Sequence, residues 1–426
     1  MRVSVTSEIA ALRGVLVHRP GDEVVRMTQH ELVEALFDDI LSPPEAAREH
    51  DLMVEILQGA GAETLELGEL LTQALARAPK ETCRHLVERS CIAAGVGELV
   101  DVIVDWPAER LASGLVSGIY WTDVGKEVVT LARLRAELGS QDPMAMRPLA
   151  NLMFLRDPCM AIGDRVVVGQ MARAARAREP SLVAFAIEHS GAFADPRFVQ
   201  HDELEATLEG GDVLVVSPQL LVIGCSQRTA ARSIERLACG SLFEALPHLE
   251  RVYAVMMPDH RTVMHLDTIL TQIDERLFLG HRPYIAGSQA LPVARLERDR
   301  APAIVRGATV LDVLREELGD DTTLVPCGGN VPLHQEREQW TDGANALCLA
   351  PGHIILYARN VHTIAALREH GFGETGLHMV QPPEQRRELI AEGMARPRNV
   401  FSFPGGELSR ARGGGRCLTM PLCREP

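Results

Sequence analysis

The sequence predicts an α/β protein in which a unit of two strands, a helix and a third strand recurs along the chain. Two stretches, which begin near Asp212 and Asn345, show the unit most clearly. In each, two short apolar runs flank a turn, a segment with helical spacing follows, and another strand closes the unit. Recurrence of one supersecondary unit indicates a repeat architecture.

The stretch from Asp212 to Pro258 sets out the unit. It predicts a hairpin, because two apolar runs flank a Ser-Pro-Gln turn. A helix follows, which Ser226 or Thr229 can cap and which ends at Gly240. The two hairpin runs and the strand after the helix are Val213–Val216, Leu220–Gly224 and Val252–Met256.

A second copy begins near Asn345, with a Pro351-Gly352 turn, a helix from Val361 to His370 and a strand near His378. The apolar runs of this copy, and the other predicted hairpins, lie at Ala346–Leu349, Ile354–Tyr357, Cys159–Gly169 and Thr268–Leu279, with a less readable one at Val15–Val17. Hairpins spaced in this way favour radial repetition around an axis, as in propeller-like folds. An irregular α/β domain is the alternative.

The stretch from about Leu70 to Gly139 interrupts this rhythm. Its apolar residues recur at helical spacing, and it contains few strand signals. We therefore expect a helical subdomain over approximately residues 70–145, inserted into a single domain that spans residues 1–426.

Composition and charge limit the partners of the chain. Apolar residues make up 46% and charged residues 24% of the 426 positions, which excludes disorder and collagen-like structure. The formal net charge of -15 opposes binding to nucleic acid or to an anionic membrane, because phosphate binding needs clustered Lys and Arg. No run approaches the roughly 20 apolar residues of a membrane span.

Cysteine usage and the amino terminus predict a cytoplasmic protein. The nine cysteines are scattered without a CxxC pair, which argues against a disulfide framework and against a thiolate zinc site. Residues 1–14 alternate between polar and apolar and contain no continuous apolar core of the kind that a signal peptide needs. We therefore expect reduced thiols.

Acidic residues and a histidine stand near the openings of the predicted hairpins. Asp157 precedes one hairpin, Glu209 and Asp212 enclose two glycines before the next, and His265 lies two residues before Asp267. If the repeats surround an axis, these side chains converge. Taken singly, each is equally an ordinary turn former or a structural histidine.

The segment Arg412-Gly413-Gly414-Gly415-Arg416-Cys417 is a candidate nucleophile loop. Three glycines allow backbone conformations and close approaches that side chains forbid, so the loop can deliver a thiol to a ligand. Arg412 and Arg416 favour the reactive thiolate if they point toward it. A flexible tail with a buried thiol is the alternative. Cysteine, histidine and carboxylates together fit covalent hydrolysis of a cationic substrate, but the pattern does not choose guanidinium by itself.

The chain resembles the arginine deiminase family through short motifs in matching order and spacing from end to end. The motifs are Leu36-Phe37-Asp38-Asp39, Phe154–Pro158, Glu209–Asp212, Ser226-Gln227-Arg228-Thr229, Met264–Thr268, Arg337–Asp342 and Gly413–Cys417. A chance match of all of them in order is very improbable.

The resemblance implies a fold and a reaction. The fold is the five-bladed α/β propeller of ββαβ repeats found in the guanidine-modifying superfamily, with a helical bundle inserted after the first blade. Cys417 attacks the guanidinium carbon of L-arginine to form a covalent thiouronium intermediate. His265 protonates the departing ammonia and then activates water, which yields L-citrulline. The resemblance implies neither a metal nor an organic cofactor.

The resemblance also implies the substrate contacts. Asp157 and Asp267 bind the guanidinium by paired, charge-assisted hydrogen bonds, while Glu209 orients His265. The amino-acid end of the substrate is held by Asn151, Arg176, Arg228 and Arg412, and the three arginines bind its carboxylate. Phe154 and Leu36 pack on the aliphatic stem. Relatives form dimers or tetramers, so we expect a homo-oligomer.

Three positions depart from the family pattern. Val331 stands where Asp is usual, Cys159 follows the Asp157-Pro158 pair, and Arg416 stands where some relatives carry histidine. They leave the catalytic set intact but bear on specificity and pH optimum. Other functions stay open: a related guanidine hydrolase or amidinotransferase, or a catalytically silent arginine-binding protein. A metalloenzyme is disfavoured, because the histidines lack HxxEH or HExxH spacing.

Overall fold

Strands and helices alternate along the chain, which confirms the predicted α/β class. The computed structural model describes residues 1–28, 32–35, 37–125, 130–139, 143–199 and 206–425. The strands are β1 (Ala11–Val17), β2 (Glu63–Glu66), β3 (Ile119–Tyr120), β4 (Met144–Met146), β5 (Cys159–Ile162), β6 (Arg165–Val168), β7 (Arg197–Val199), β8 (Val213–Ser217), β9 (Leu220–Cys225), β10 (Arg251–Met256), β11 (Leu270–Asp274), β12 (Leu277–Gly280), β13 (Val293–Glu297), β14 (Ala303–Ile304), β15 (Thr323–Pro326), β16 (Leu347–Ala350), β17 (His353–Tyr357), β18 (Gly373–Gly376), β19 (Asn399–Phe403) and β20 (Met420–Glu425).

The helices lie mainly between strands. They are α1 (Asp22–Val25), α2 (Leu32–Ala35), α3 (Pro43–Gly59), α4 (Leu67–Arg77), α5 (Lys80–Ala93), α6 (Val100–Ile103), α7 (Ala108–Ser117), α8 (Leu131–Glu137), α9 (Glu179–His189), α10 (Ala231–Leu237), α11 (Phe243–Ala245), α12 (Arg282–Ile285), α13 (Val310–Leu318), α14 (Pro332–Trp340), α15 (Val361–Glu369) and α16 (Pro383–Met394).

Five sheets in the described part of the chain contain the same three-strand pattern. A middle strand pairs antiparallel with one neighbour and parallel with the other. The triplets, each with its middle strand second, are β20-β1-β2, β5-β6-β7, β8-β9-β10, β11-β12-β15 and β16-β17-β19. At least one helix separates the two parallel strands along the chain, as a parallel connection requires. The predicted unit of strand, strand, helix and strand is confirmed.

The predicted hairpin at Val15–Val17 is wrong, because β1 pairs antiparallel with β20 rather than with a neighbouring strand of the sequence. The other four predicted hairpins agree with the structure in place and pairing. They correspond to the antiparallel pairs β5 with β6, β8 with β9, β11 with β12, and β16 with β17. The strand predicted near His378 is misplaced, because β18 already lies at Gly373–Gly376. Gly371, at a φ of 83°, ends α15 in a tight turn, so the strand begins two residues later.

The predicted helix caps Ser226 and Thr229 are also wrong. Helix α10 begins after Ala230, and no side chain caps it. The two hydroxyls hold an acidic turn instead: Ser226 Oγ donates to Asp212 Oδ2 at 2.7 Å, and Thr229 Oγ1 accepts from the Glu209 backbone N–H at 3.1 Å. These side chains stabilise a turn that carries candidate site residues.

Helices α4 to α8 lie between β2 and β4, in the stretch where the sequence predicts a helical bundle. Their apolar side chains share one core with α9, β5 and β6, in which Leu71, Val87 and Leu115 are fully buried. Burial of each such side chain contributes ~1.5–3 kcal/mol. This core anchors α9 and therefore the segment before it, which carries Arg176. Within the described ranges, no helix has the length and apolar content to cross a bilayer.

A buried histidine links the end of β1 to β2 and α1. His18 Nδ1 lies 2.8 Å from Glu66 Oε1, and its Nε2 lies 3.5 Å from Glu23 Oε1. Burial alone lowers the pKa of His18, but the two carboxylates outweigh burial and raise the pKa to about 10. His18 is therefore charged at neutral pH and holds the three elements together.

Replacement of His18 by glutamine tests this ion pair, because it leaves Glu23 buried without its cation. We expect the free energy of unfolding to fall by about 3 to 5 kcal/mol at neutral pH. The folded pKa lies above the ordinary value of ~6.5, so the contribution is complete below about pH 6 and is lost as the pH rises toward about 10. Urea unfolding should show the gap between wild type and variant narrowing across that range. His85→Gln, at an exposed histidine, is the control. If wild type and His18→Gln differed equally in unfolding free energy at about pH 6 and about pH 10, His18 would not be the charged partner of Glu23 and Glu66.

Candidate active site

In each of the five triplets, a turn with polar or reactive side chains precedes the strand that pairs antiparallel with the middle strand. The residues are Asp157 before β5, Glu209 and Asp212 before β8, His265 and Asp267 before β11, Asn345 before β16 and Cys417 before β20. All are buried, and hydrogen bonds or ion pairs connect the turns. The sequence predicts this convergence for all of them except Asn345, whose amide is an ordinary turn residue and gave no signal.

His265 is held between carboxylates. Its Nε2 lies 2.8 Å from Glu209 Oε2, and its Nδ1 lies 3.8 Å from Asp157 Oδ1. The next residue is fixed too, since the Leu266 backbone N–H donates to Asp212 Oδ1 at 2.9 Å. Burial lowers the pKa of His265, but the surrounding carboxylates raise it to about 9. The imidazole is therefore protonated at neutral pH and can act as an acid.

Asp157 is anchored by a glycine turn and by an arginine. The Gly211 backbone N–H donates to Asp157 Oδ1 at 3.1 Å, and Arg176 Nη1 donates to Oδ2 at 2.6 Å. A Cβ at Gly211 would lie 2.7 Å from His265 Nδ1, so this close approach requires glycine. Burial disfavours the charged carboxylate, but His265 and Arg176 outweigh it and lower the pKa of Asp157.

Arg416 links Asp267 to Glu8, near the amino terminus, through buried ion pairs. Arg416 Nη1 donates to Asp267 Oδ2 at 2.9 Å, and Arg416 Nη2 donates to Glu8 Oε1 at 2.9 Å. Burial raises the pKa of Glu8, but Arg416 and Arg156 outweigh burial and lower it to about 2. Among the described residues, Asp267 Oδ1 has no hydrogen-bond partner. Sequence reasoning missed Glu8, which precedes β1 in no recognisable motif.

Cys417 lies against Asn345 and Asp267. Its backbone N–H donates to Asn345 Oδ1 at 3.0 Å, Asn345 Nδ2 donates to its Sγ at 3.1 Å, and Sγ lies 3.6 Å from Asp267 Oδ2. Burial, followed by the charges of Asp267, Asp157 and Asp342, raises the pKa of this thiol well above its ordinary range.

Arg416 favours the thiolate, as the sequence predicts, but its effect on the pKa of Cys417 is not the largest one. Burial and the carboxylates outweigh it. Arg416 is committed to Glu8 and Asp267, which neutralise much of its field. In the absence of a further cation, the thiol stays protonated.

The glycine loop allows close contacts, as the sequence predicts. A Cβ at Gly413 would lie 2.3 Å from the Phe154 ring, and one at Gly414 would lie 2.8 Å from Asn345 Cβ. The left-handed position of the loop is not a glycine: Arg412 has a φ of 67°. A non-glycine residue in this conformation costs of order 1–3 kcal/mol and requires support from its surroundings.

Two arginines approach the site from other sides. The Arg412 guanidinium lies 3.4 Å from the centroid of the Trp340 ring, and its Nη1 lies 4.0 Å from Asp38 Oδ2. None of its nitrogens has a hydrogen-bond partner among the described residues. Arg228 Nη1 lies 3.6 Å from Glu209 Oε2. Both side chains are buried, so both present a cation to the interior.

A small cavity of about 20 Å³ joins most of the predicted residues. Its lining comprises Asn151, Phe154, Asp157, Arg176, Arg228, Met264, His265, Thr268, Ala411, Arg412 and Cys417. Glu209 and Asp267 lie behind this lining and contact it through His265 and Cys417. Leu36 falls outside the described residues. The volume holds about one water molecule, so the cavity is too small for an amino acid in this conformation.

Asp157, Glu209 and His265 also place ligand atoms within 4.8 Å of one another, which is close enough for a metal ion. The donor set suits such an ion poorly. Arg176 and Arg228 already lie beside these carboxylates, and the protonated imidazole offers no lone pair to a metal.

The fold and the site together define an α/β protein with a buried site of one cysteine, one protonated histidine and several carboxylates, a combination suited to covalent hydrolysis. A sequence model described as arginine deiminase matches residues 33–424. The chain belongs to the arginine deiminase family.

Curated relatives agree over their whole length. The chain is 34% identical over 431 residues to the arginine deiminase of Listeria monocytogenes serotype 4a (strain HCC23). This match covers 99% of the chain and 98% of the relative. The chain is 31% identical over 435 residues to the arginine deiminase of Borrelia duttonii (strain Ly), with the same coverage. The resemblance inferred from the motifs is confirmed.

Solved structures support the fold. An amidinotransferase from Microseira wollei in the saxitoxin biosynthetic pathway has a TM-score of 0.52 at 14% identity and covers 100% of this chain and 98% of its own. The N-terminal domain of a variant of ArgZ, covalently bound to a reaction intermediate, has a TM-score of 0.50 at 14% identity and covers 96% and 98%. At such identity the likeness concerns the fold alone.

The raised pKa of Cys417 predicts its reactivity toward a neutral alkylating agent. We expect iodoacetamide to modify Cys417 slowly at neutral pH, with a rate that still rises at about pH 9, because an ordinary thiol titrates near ~8.5. Peptide mass spectrometry would follow Cys417, with the exposed Cys239 as an internal reference for reagent quality. A plateau below about pH 8 would mean that the thiolate already forms in the free protein.

Proposed function

We propose that this protein is an arginine deiminase that hydrolyses L-arginine to L-citrulline and ammonia through a covalent intermediate on Cys417. The observation that carries the proposal is the charge around the thiol: Sγ lies 3.6 Å from Asp267, and the pKa of the thiol is raised first by burial and then by the charges of Asp267, Asp157 and Asp342. A guanidinium bound there would offset these charges and favour the thiolate. Relatives named arginine deiminase support the choice of substrate.

Asp157 and Asp267 bind the guanidinium in this proposal. Asp267 Oδ1 is a buried acceptor without a partner among the described residues, so it is ready for a donor. Asp157 is occupied by Arg176, whose guanidinium has the same shape and charge as that of the substrate. Substrate binding therefore requires Arg176 to withdraw from Asp157, and Glu179, which binds Arg176 at 2.8 Å, can retain it.

The chemistry proceeds in two halves. Substrate binding releases the thiol proton of Cys417 to solvent, and the thiolate attacks the guanidinium carbon. A carbon–nitrogen bond breaks as His265 gives its proton to the departing nitrogen, which leaves as ammonia. His265 then takes a proton from water, whose oxygen attacks the same carbon. The carbon–sulfur bond breaks as the remaining hydroxyl proton returns to Sγ, and L-citrulline leaves. Glu209 keeps the imidazole oriented through both halves by its 2.8 Å contact.

The amino-acid end of the substrate requires cationic and polar partners. Arg228 and Arg412 are buried cations beside the cavity, and no nitrogen of the Arg412 guanidinium has a hydrogen-bond partner among the described residues. With Asn151, they are proposed to hold the substrate carboxylate and amino group, joined by Arg176 once it has moved. Phe154 lines the cavity and would pack on the aliphatic stem, together with Leu36.

We propose that the chain forms one catalytic domain, residues 1–426, as a five-bladed α/β propeller with a helical insertion over approximately residues 70–145. The three-strand pattern repeated in five sheets supports five blades. The joining of the opening turns from all five of these sheets at one buried site supports an axial arrangement. Helices α4 to α8 would form the insertion.

We further propose a cytoplasmic homo-oligomer, either a dimer or a tetramer, that needs no metal or organic cofactor. The nine free cysteines suit a reducing compartment. Leu131 and Leu138 on and beside α8 are 86% and 89% exposed, which suits burial against another subunit. Sedimentation or light scattering would decide the state.

Incubation of the purified protein with L-arginine and a chelator tests the proposed reaction. We expect citrulline and ammonia in equal amounts, no product from Cys417→Ala, and a kcat for His265→Asn reduced by about 10²- to 10⁴-fold. A chelator-sensitive rate would move the assignment to a metalloenzyme. Transfer of the amidino group to an added amine would indicate an amidinotransferase, and binding without turnover would indicate a silent arginine-binding protein.

A comparison of arginine with agmatine, which lacks the carboxylate, tests the head-group contacts. We expect Arg412→Ala to lower kcat/KM for arginine by about 10- to 100-fold, because it removes a charge-assisted hydrogen bond. The already low value for agmatine should change little. Arg410→Ala, at a half-exposed arginine of the same segment, is the matched control. Equal losses for both substrates would contradict carboxylate recognition by Arg412.

A further inference from the structure

Asn345 holds Cys417 at two atoms. Its Oδ1 accepts from the Cys417 backbone N–H at 3.0 Å, and its Nδ2 donates to Cys417 Sγ at 3.1 Å. Nδ2 also donates to the backbone carbonyl of Asp267 at 3.2 Å. The orientation of the amide follows from its partners, because a backbone N–H only donates and a carbonyl only accepts.

The surrounding chain fixes this amide in place. Asn345 is completely buried, and its backbone N–H donates to the Asp342 carbonyl at 3.0 Å. A Cβ at Gly414 would lie 2.8 Å from the Asn345 Cβ, so the glycine loop packs directly on it. Because Gly414 has no side chain, the loop that carries Cys417 can pack directly on Asn345.

We propose that Asn345 is a catalytic residue, whose Nδ2 hydrogen bond to Cys417 Sγ stabilises the sulfur as it becomes an anion and attacks the substrate. The inference rests on the proposed function, in which Cys417 is the nucleophile. A hydrogen bond to a charged acceptor is stronger than one to a neutral acceptor, so this contact strengthens during the reaction. It therefore lowers the barrier rather than only holding the ground state.

A neutral donor suits the charges that face this thiol. Asp267, Asp157 and Asp342 disfavour the anion, and Arg416 opposes them only in part. A lysine or arginine in place of Asn345 would stabilise the thiolate but would also repel the guanidinium cation. An amide stabilises the sulfur anion without adding a net charge to a site that binds a cation.

Asn345→Asp keeps the shape and the acceptor for the Cys417 N–H and removes the donor to sulfur, but an ionised aspartate also adds a negative charge that would raise the pKa of the thiol by itself. Asn345→Ala, which adds no charge, must therefore show the same effect. Asn345→Ala removes both contacts. We expect each to lower kcat by about 10- to 100-fold. The KM should change little, because Asn345 does not line the cavity. The pH at which iodoacetamide modification of Cys417 is half-maximal should shift upward in both variants.

Asn399→Ala is the matched control. Asn399 is another fully buried side-chain amide and is hydrogen-bonded to Thr375. It lies at the start of β19, in the sheet that also contains β16, but far from Cys417. We expect it to lower the melting temperature but to leave kcat and the alkylation profile of Cys417 unchanged. Melting temperatures of all variants would separate instability from loss of catalysis.

A wild-type kcat and an unshifted alkylation profile in Asn345→Asp would overturn the role of Asn345 and leave the deiminase proposal standing. Alkylation of Cys417 does not depend on turnover, so it tests the role of Asn345 even if the proposed deiminase activity is absent. If the wild-type protein makes no citrulline, the proposed function fails. A shifted profile in the variants would still support the bond to sulfur.

Discussion

Asp157, Glu209 and Asp267 lie out of contact with water, and a buried carboxylate costs several kcal/mol unless a cation compensates it. Here the chain supplies the cations from its own sequence. Arg176 binds Asp157, Arg416 binds Asp267, and protonated His265 binds Glu209. The site, which we propose binds a guanidinium ion, is stable without one because Arg176 and Arg416 already occupy two of its carboxylates. At Asp157, substrate binding then becomes an exchange of one guanidinium for another, whereas at Asp267 the substrate cation would add to Arg416.

This exchange links the reactivity of the thiol to occupancy of the site. Burial raises the pKa of Cys417 most, and the carboxylates that would bind the substrate raise it further. Arg416 cannot relieve them alone, since Glu8 shares its charge. A substrate cation would supply the missing positive charge beside the sulfur. The nucleophile would then be active chiefly when arginine is present, which limits side reactions of an exposed thiolate.

The sequence predicted the features that depend on local pattern or on rare residue types. Alternating apolar runs located the hairpins, and the motifs around Asp157 and His265 located most of the site. It could not predict Asn345 or Glu8, because each is an ordinary residue that becomes significant only through contacts with Cys417 and Arg416. Side-chain direction was equally hidden. Arg176 is a predicted substrate ligand that faces Asp157 in the structure, and nothing in the segment around it indicates this.

Strand β20, which begins three residues after Cys417, pairs with β1 at the other end of the described chain. The contact between Arg13 and Glu425 spans 412 positions. Such non-local pairing forms slowly, because the entropy of closing a long loop must be overcome before the contact stabilises anything. The nucleophile should therefore reach its place late in folding. Partly folded chains would carry Cys417 as an ordinary thiol, without the carboxylates that define its chemistry.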